Sequence, residues 1–371
     1  MVENAVKLLE DLLKIYSPSG QEEPLSRSLA ENMDNLGFNV VVDKVNNVIG
    51  TIGSGSPSIL LCGHIDTVPG KQLVRIEDGL MFGRGSVDAK SSLSAMIMAA
   101  SKFVDKKDFG KIIVAGVVDE EGAGRGIKEL IKDNIQADYA IFGEPSGIEH
   151  ITIGYKGRIS LKITCKTASV HASAPWMSQN AIEKAFEVWD TIRAYTSQKE
   201  DKNSLFNSLT ACITKIRGGT SHNVLPGTCK ITTDMRIPPK MSCAAVYQDV
   251  MEIIKNYQSD VSFPKINVEV RDKVEPFETD KNSHLVRALI IAILKIRGKR
   301  PMLLRKAGTG DMNAFGHAFK IPVVTYGPGN PHLSHTHKEY IEISEYLSSI
   351  EIYQKVISNL YNFYHLKDIK K

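Results

Sequence analysis

Apolar residues along this chain follow two different periods, and the change comes near residue 157. Val6, Leu9, Leu12, Leu13 and Tyr16 fall on one face of a helix over 5–16, which Ser17-Pro18-Ser19-Gly20 stops. Leu25, Leu29, Met33 and Leu36 mark a second helix over 24–36, with Gly37 as its C-terminal cap. Short apolar runs at 38–42, 48–52 and 59–62 predict strands. An Ala- and Met-rich helix over 89–104 follows, then a strand at 112–118, a helix at 127–132 and a strand at 139–142. Strands alternating with helices predict α/β layers around a mixed, largely parallel sheet flanked by helices.

Beyond Tyr155 the alternation becomes two-residue. Ile159, Leu161, Ile163 and Cys165 form one face of a half-exposed strand. A helix over 180–195, strands at 209–217 and 228–236, a helix over 243–257 and a strand at 265–271 complete the order βαββαβ, the ferredoxin-like α+β arrangement. A helix over 285–296 and a strand at 323–326 return to the α/β style. The expected organisation is a discontinuous α/β domain, 1–157 and 274–371, with an inserted lid or dimerisation domain at 158–273.

The bulk numbers set outer bounds. A chain of 371 residues, 42% apolar and 24% charged, can bury a large core in about two domains. No apolar stretch is long enough to span a bilayer, and residues 1–13 lack the basic and apolar regions of a signal peptide. The five cysteines include no CxxC pair, which points to a reduced, cytoplasmic protein and away from thiolate-held zinc. A net charge of +4 without a long basic run argues against nucleic acid and leaves room for an acidic partner.

The candidate chemistry lies just after the predicted buried strands, where ligands of open α/β sheets bind. His64 and Asp66 follow 59–62, and the two-residue spacing puts them on one side of the strand end. Asp119, Glu120 and Glu121 follow 112–118; Glu144 follows 139–142; His332, His335 and His337 follow 323–326. Asp88 opens the Ala/Met-rich helix. Carboxylates gathered in one crevice require positive charge among them, and divalent metal supplies it. Imidazole and carboxylate without thiolate suit zinc, with cobalt or manganese as substitutes, and the ligand count exceeds what one catalytic zinc uses. Two metals sharing a carboxylate are therefore expected. Glu120 and Glu121 are neighbours whose side chains diverge, so one can bind metal while the other serves as a base.

His64-x-Asp66, Gly83-Arg84-Gly85-x-x-Asp88-x-Lys90, Asp119-Glu120-Glu121-Gly122, Gly143-Glu144-Pro145, His171-Ala172-Ser173-Ala174-Pro175 and His335 occur in order along the chain. Together they resemble the two-zinc aminoacylase, acetylornithine deacetylase, succinyl-diaminopimelate desuccinylase and glutamate carboxypeptidase family, a zinc-exopeptidase fold. The resemblance implies His64 and Glu144 on one metal, Glu121 and His335 on the other, and Asp88 bridging. It also implies Glu120 as general base, Asp66 orienting His64, and His171 as an oxyanion donor reaching a partner subunit's site in a homodimer. Gly85-Ser86-Val87-Asp88-Ala89-Lys90, Gly143-Glu144-Pro145-Ser146-Gly147, Gly154-Tyr155-Lys156-Gly157-Arg158 and Gly308-Thr309-Gly310-Asp311-Met312-Asn313 resemble one branch more closely. Its members release lysine or ornithine from the C-terminal glutamate of a small, acidic amino-group carrier protein in lysine and arginine biosynthesis. The departure from the Asp-Met pattern of desuccinylases and deacetylases, at Val87-Asp88-Ala89, points the same way. A small-molecule N-acyl-amino-acid deacylase is the alternative within the class, and a non-hydrolytic metal- or carrier-binding protein the alternative outside it.

Several residues admit a plainer reading. Asp66 can cap the turn at Thr67, and Asp88 can be only a helix N-cap. His332 and His337 can be exposed neighbours of His335. Asn223 and Arg236, with Gly308 and Thr309, are expected to bind substrate, since a guanidinium grips a carboxylate well; Arg236 can equally pair with Asp234. Lys156 and Arg158 are either carrier contacts or a solvated turn.

Overall fold

The computed structural model describes residues 2–106, 109–260 and 264–368. Two compact units divide the chain: Met1–Ile153 with Glu278–Arg305 and Gly310–Lys371, and Gly154–Phe277 with Lys306–Thr309. The boundaries fall at 154 and 277 rather than 158 and 273, and the second unit also takes in the short return 306–309. Each unit has its own buried apolar cluster.

The first unit is a helix-flanked mixed sheet. Strands Gly110–Val117, Ser58–His64, Tyr139–Phe142 and Val323–Thr325 run parallel, in that order. They are almost wholly apolar because both faces of the sheet are covered. Antiparallel strands Val48–Ser54 and Asn39–Val42 extend one side, and His150–Tyr155 the other. Helix Lys90–Ala100 is buried along its whole length, and its Ser and Ala residues leave room for that close packing; it packs between Ser58–His64 and helices Val2–Lys14 and Ile343–Asp368. A 3-10 turn, Ser101–Phe103, replaces the last turn of the longer helix expected there. Helix Glu23–Asn35 ends before Gly37, whose φ of +88° supplies the expected left-handed cap.

Strand His150–Tyr155 and helices Asp311–Phe319 and Ile343–Asp368 have no counterpart among the expected elements. The last helix buries Tyr346, Ile350, Tyr353, Ile357 and Leu360 along one stripe, which Ile352 and Val356 widen. Buried Ser349 and Asn359 lie within that stripe and dilute the apolar pattern by which a helix is read from sequence. Asp311–Phe319 begins directly after Gly308-Thr309-Gly310, where turn residues mask its start.

The second unit has a four-stranded antiparallel sheet in the order Thr210–Gly218, Thr228–Ile237, Gly157–Lys166, Lys265–Val274. Helices Ala181–Gln198 and Cys243–Asp260 pack on it, giving the ferredoxin-like order βαββαβ. Ile159, Leu161 and Ile163 alternate with half-buried residues, as their sequence period requires, and meet Ala185, Val188 and Ile192 of the first helix in one core.

Candidate functional site

The four parallel strands end along one edge, and their backbone pairing runs slightly past them. Ile65 N–H donates to Val117 O, Gly143 N–H to Cys62 O, and Tyr326 N–H to Phe142 O. This fixes the chain directions at the edge from which His64, the Asp119–Glu121 turn and Glu144 project. Small residues make the close approach possible. A Cβ at Gly63 would crowd Leu93, and one at Gly122 would collide with Asp119 Oδ1.

His64 and Asp88 lie at the centre. His64 is 1% exposed. Its Nε2 is 3.1 Å from Asp88 Oδ1 and 3.9 Å from Glu144 Oε1. The other oxygen of Asp88 lies 3.3 Å from His335 Nε2, which is 2.7 Å from Glu121 Oε1. Asp88 therefore stands between the two imidazoles, one oxygen toward each. It is not a helix cap: Ala89 holds that position, and no side chain caps the helix. Among the three late histidines, His335 is the one that meets the acids; it takes a φ of +63° to do so. His332 and His337 are exposed.

Asp66 supports two pieces at once. Nδ1 of His64 lies 2.8 Å from the Asp66 carbonyl oxygen and 3.5 Å from its carboxylate, so the closer partner is backbone. The carboxylate accepts from Ser19 Oγ (2.7 Å), Glu120 N–H (3.0 Å) and Glu121 N–H (3.1 Å). It fixes the turn that presents Glu120 and Glu121, and it does not cap Thr67, whose N–H donates to Ser17 O.

The charge balance is strained in a consistent direction. Burial, with Glu121 and Asp88 adding to it and His64 opposing, pushes the Glu120 carboxyl up to about 7. Burial likewise raises Glu121, Glu144 and Asp311, the last two also through Glu120. For Asp66, burial is outweighed by His64 and by the Ser19 and Glu120 donors, which hold its carboxyl at about 2. Hydrogen bonding to Asp88, with burial opposing and Glu121 adding, raises His335 to about 9.

The donor set fits divalent metal. Ligand atoms of His64, Asp88 and Glu121 lie within 4.8 Å of one another, and so do those of His64, Glu120 and Glu144. All are imidazole nitrogens or carboxylate oxygens, the chemistry of zinc, cobalt or manganese sites.

The structure gives Glu339 a part in the site. It is fully buried. Oε1 accepts from the N–H groups of Gly85, Val87 and Asp88 at 2.9–3.0 Å, and Oε2 pairs with Arg84 Nη1 at 2.6 Å. It thus holds the turn that carries Asp88 against the segment that carries His335. Asp311 opens helix Asp311–Phe319 next to Gly310, where a Cβ would be 3.8 Å from Glu120 Oε1. No sequence pattern marked Asp311 beyond its place in a Gly-rich motif.

The second unit carries the remaining candidates. His171 sits on a short ribbon in which Val170–His171 pairs with Val224–Leu225, bringing it beside Asn223. Both are exposed, and His171 Nδ1 is 2.7 Å from Ser173 Oγ. Arg236 pairs with Asp234 (Nε to Oδ1 2.6 Å) and reaches Ala307 O at 3.4 Å, next to Gly308 and Thr309. Both readings of Lys156, carrier contact and solvated turn, are corrected: it is 1% exposed, and its Nζ donates to Leu205 O. Arg158 is paired with Asp272.

Known proteins are similar to this chain over nearly its whole length. A LysW-lysine/LysW-ornithine hydrolase from Sulfurisphaera tokodaii is 33% identical over 358 residues, covering 95% of each chain. The fold of aminopeptidase PepT from Bacillus cereus matches with a TM-score of 0.81 at 24% identity, covering 97% of this chain and 99% of that one. The Bacillus subtilis YXEP protein, described as a dinuclear metal binding peptidase, matches with a TM-score of 0.72 at 14% identity over 97% and 98% of the two chains. Residues 60–359 match the family described as Peptidase family M20/M25/M40, and the chain belongs to that family.

Proposed function

We propose that this chain is a two-metal amide hydrolase that frees lysine, ornithine or both from the C-terminal glutamate of an amino-group carrier protein. One observation carries the hydrolase reading: His64, Asp88, Glu120, Glu121, Glu144 and His335 gather at one sheet edge, with Asp88 between the two imidazoles. His64 and Glu144 would hold one zinc, Glu121 and His335 the other, and Asp88 would bridge; cobalt is the expected substitute. When bound, the metals supply Lewis acidity for the scissile carbonyl and acidify the attacking water. Glu120, held by its backbone N–H on Asp66, is the general base that takes a proton and returns it to the leaving amine. His171 is the oxyanion donor proposed to serve a partner subunit's site, and Asn223, Arg236, Gly308 and Thr309 are the proposed substrate contacts. The protein acts as a cytoplasmic homodimer joined through the second unit.

The carrier-linked substrate is supported by Gly85–Lys90, Gly143–Gly147, Gly154–Arg158 and Gly308–Asn313, and by the activity named for the Sulfurisphaera tokodaii relative. The deciding assay is release of lysine from carrier-linked lysine, set against N-acetyl-lysine, N-acetylornithine and N-succinyl-diaminopimelate. The carrier-linked substrate should be turned over well and the small ones poorly. Turnover of the small N-acyl substrates alone would replace this reading with a deacylase. With an acidic carrier and a net charge of +4, kcat/KM on the carrier substrate should also fall as salt is added, because surface attraction is screened over about 10 Å at 0.1 M.

A further inference from the structure

The first unit contains a cavity of about 520 Å³ that the proposed hydrolysis does not use. It lies beside the metal-ligand segments, and three observations describe what it would take. Its deep residues, Thr67, Arg84 and Lys90, are all buried. Thr67 follows Asp66, and its Oγ1 is buried with no hydrogen-bond partner. A buried hydroxyl without a partner is costly, and a bound acceptor would satisfy it.

The second observation is charge. Four basic side chains line the cavity and no acidic one does. Two of the four are already answered: Arg84 pairs with Glu339 and Lys14 with Glu10. Lys90 Nζ donates to the carbonyl oxygens of Leu12 (3.1 Å) and Ile15 (2.7 Å) at the end of helix Val2–Lys14, and the carboxylates of Glu339 and Asp66 also act on its charge. Lys71 stands exposed at the mouth. The third observation is the apolar wall. Leu13 and Val74 line it, and Leu73 lines it while remaining 77% exposed. An inorganic anion has no use for that wall.

We propose that this cavity binds a small organic carboxylate on a short apolar body, its oxygens toward Thr67, Lys71 and Lys90 and its carbon chain along Leu13, Leu73 and Val74. The site is separate from the one at which substrate is cut, and it stands whether or not the carrier-linked substrate is correct.

The test is calorimetric titration of the full, metal-loaded chain with hexanoate, its neutral isostere hexanamide, and inorganic phosphate. Hexanoate should bind saturably, with hexanamide and phosphate each at least about tenfold weaker, the weight of one hydrogen bond to a charged group. Thr67→Val and Leu73→Glu should each weaken hexanoate by about tenfold, the first by removing a donor and the second by placing a carboxylate at the mouth. Leu73 is exposed, so that variant keeps the test sharp if Thr67→Val folds poorly. No saturable hexanoate binding, parity with hexanamide or phosphate, or affinity unchanged in Leu73→Glu would overturn the proposal; the last would place hexanoate elsewhere, on the metals for example.

Discussion

At the scale of the residue, the site turns on carboxylates that share a chemistry and differ in surroundings. Glu120 and Glu121 are adjacent, and both N–H groups donate to Asp66, yet Glu121 pairs with His335 at 2.7 Å while Glu120 lies within 4.8 Å of His64. Removing the charge of each should therefore separate two defects. Glu120→Gln is expected to keep both metals while kcat falls by about 10²–10⁴-fold, the weight of general base catalysis. Glu121→Gln should instead lower the metal content per chain. Metal analysis of the purified variants beside their turnover decides it, and near-normal turnover in Glu120→Gln would reject its role. His64, Glu120, Glu121 and Glu144 could be picked out from sequence because each follows an apolar run, whereas Asp88 and His335 were marked by the motifs they belong to. Their pairing came only from the family resemblance and not from local spacing, because the distances from Asp88 to His64 and His335 join residues 24 and 247 positions apart.

At the scale of the element, the parallel strands point their ends at one edge, and a single buried side chain ties two of the resulting segments together. Glu339 accepts three N–H groups of the Gly85–Asp88 turn and answers the charge of Arg84. Glu339→Gln keeps the shape and loses the charge-assisted pair. It should weaken zinc binding by about 10–100-fold, as loss of an outer support to a metal site does. Competition with a chromophoric chelator measures this directly; wild-type affinity in that variant would show that the turn holds without it. A loss of metal affinity that exceeds any loss of thermal stability would distinguish support of the site from support of the fold.

At the scale of the molecule, the metal-free chain should carry a pH-dependent instability. Glu120 has a folded pKa of about 7 against an ordinary 4.5, so its contribution is complete below 4.5 and is lost as pH rises through 7. His335, raised to about 9 from 6.5, contributes fully below 6.5 and loses that contribution as pH rises through 9. Both act in one direction, so the melting temperature of the metal-free protein should fall between about pH 5 and pH 9. Metal binds the deprotonated ligands, so loading should reverse that slope. Equal slopes with and without metal would contradict the coupling. The proposed homodimer gives a second molecular prediction. Mixing His171→Ala with Glu120→Gln subunits should restore some activity if His171 serves its partner's site; none after verified subunit exchange would assign it to its own chain or to no role. The sequence by itself determined the two kinds of layer, because a period of two and a period of 3.6 are written in local spacing. It also determined the candidate ligands, because polar residues that interrupt buried strands at their ends stand out. Tertiary structure alone decided the rest. Helix Ile343–Asp368 buries Ser349 and Asn359 within its apolar stripe, and Glu339, Asp311 and Thr67 acquire their surroundings from residues far away in the chain. Burial and charge at these positions are properties of the packed molecule, and no local pattern encodes them.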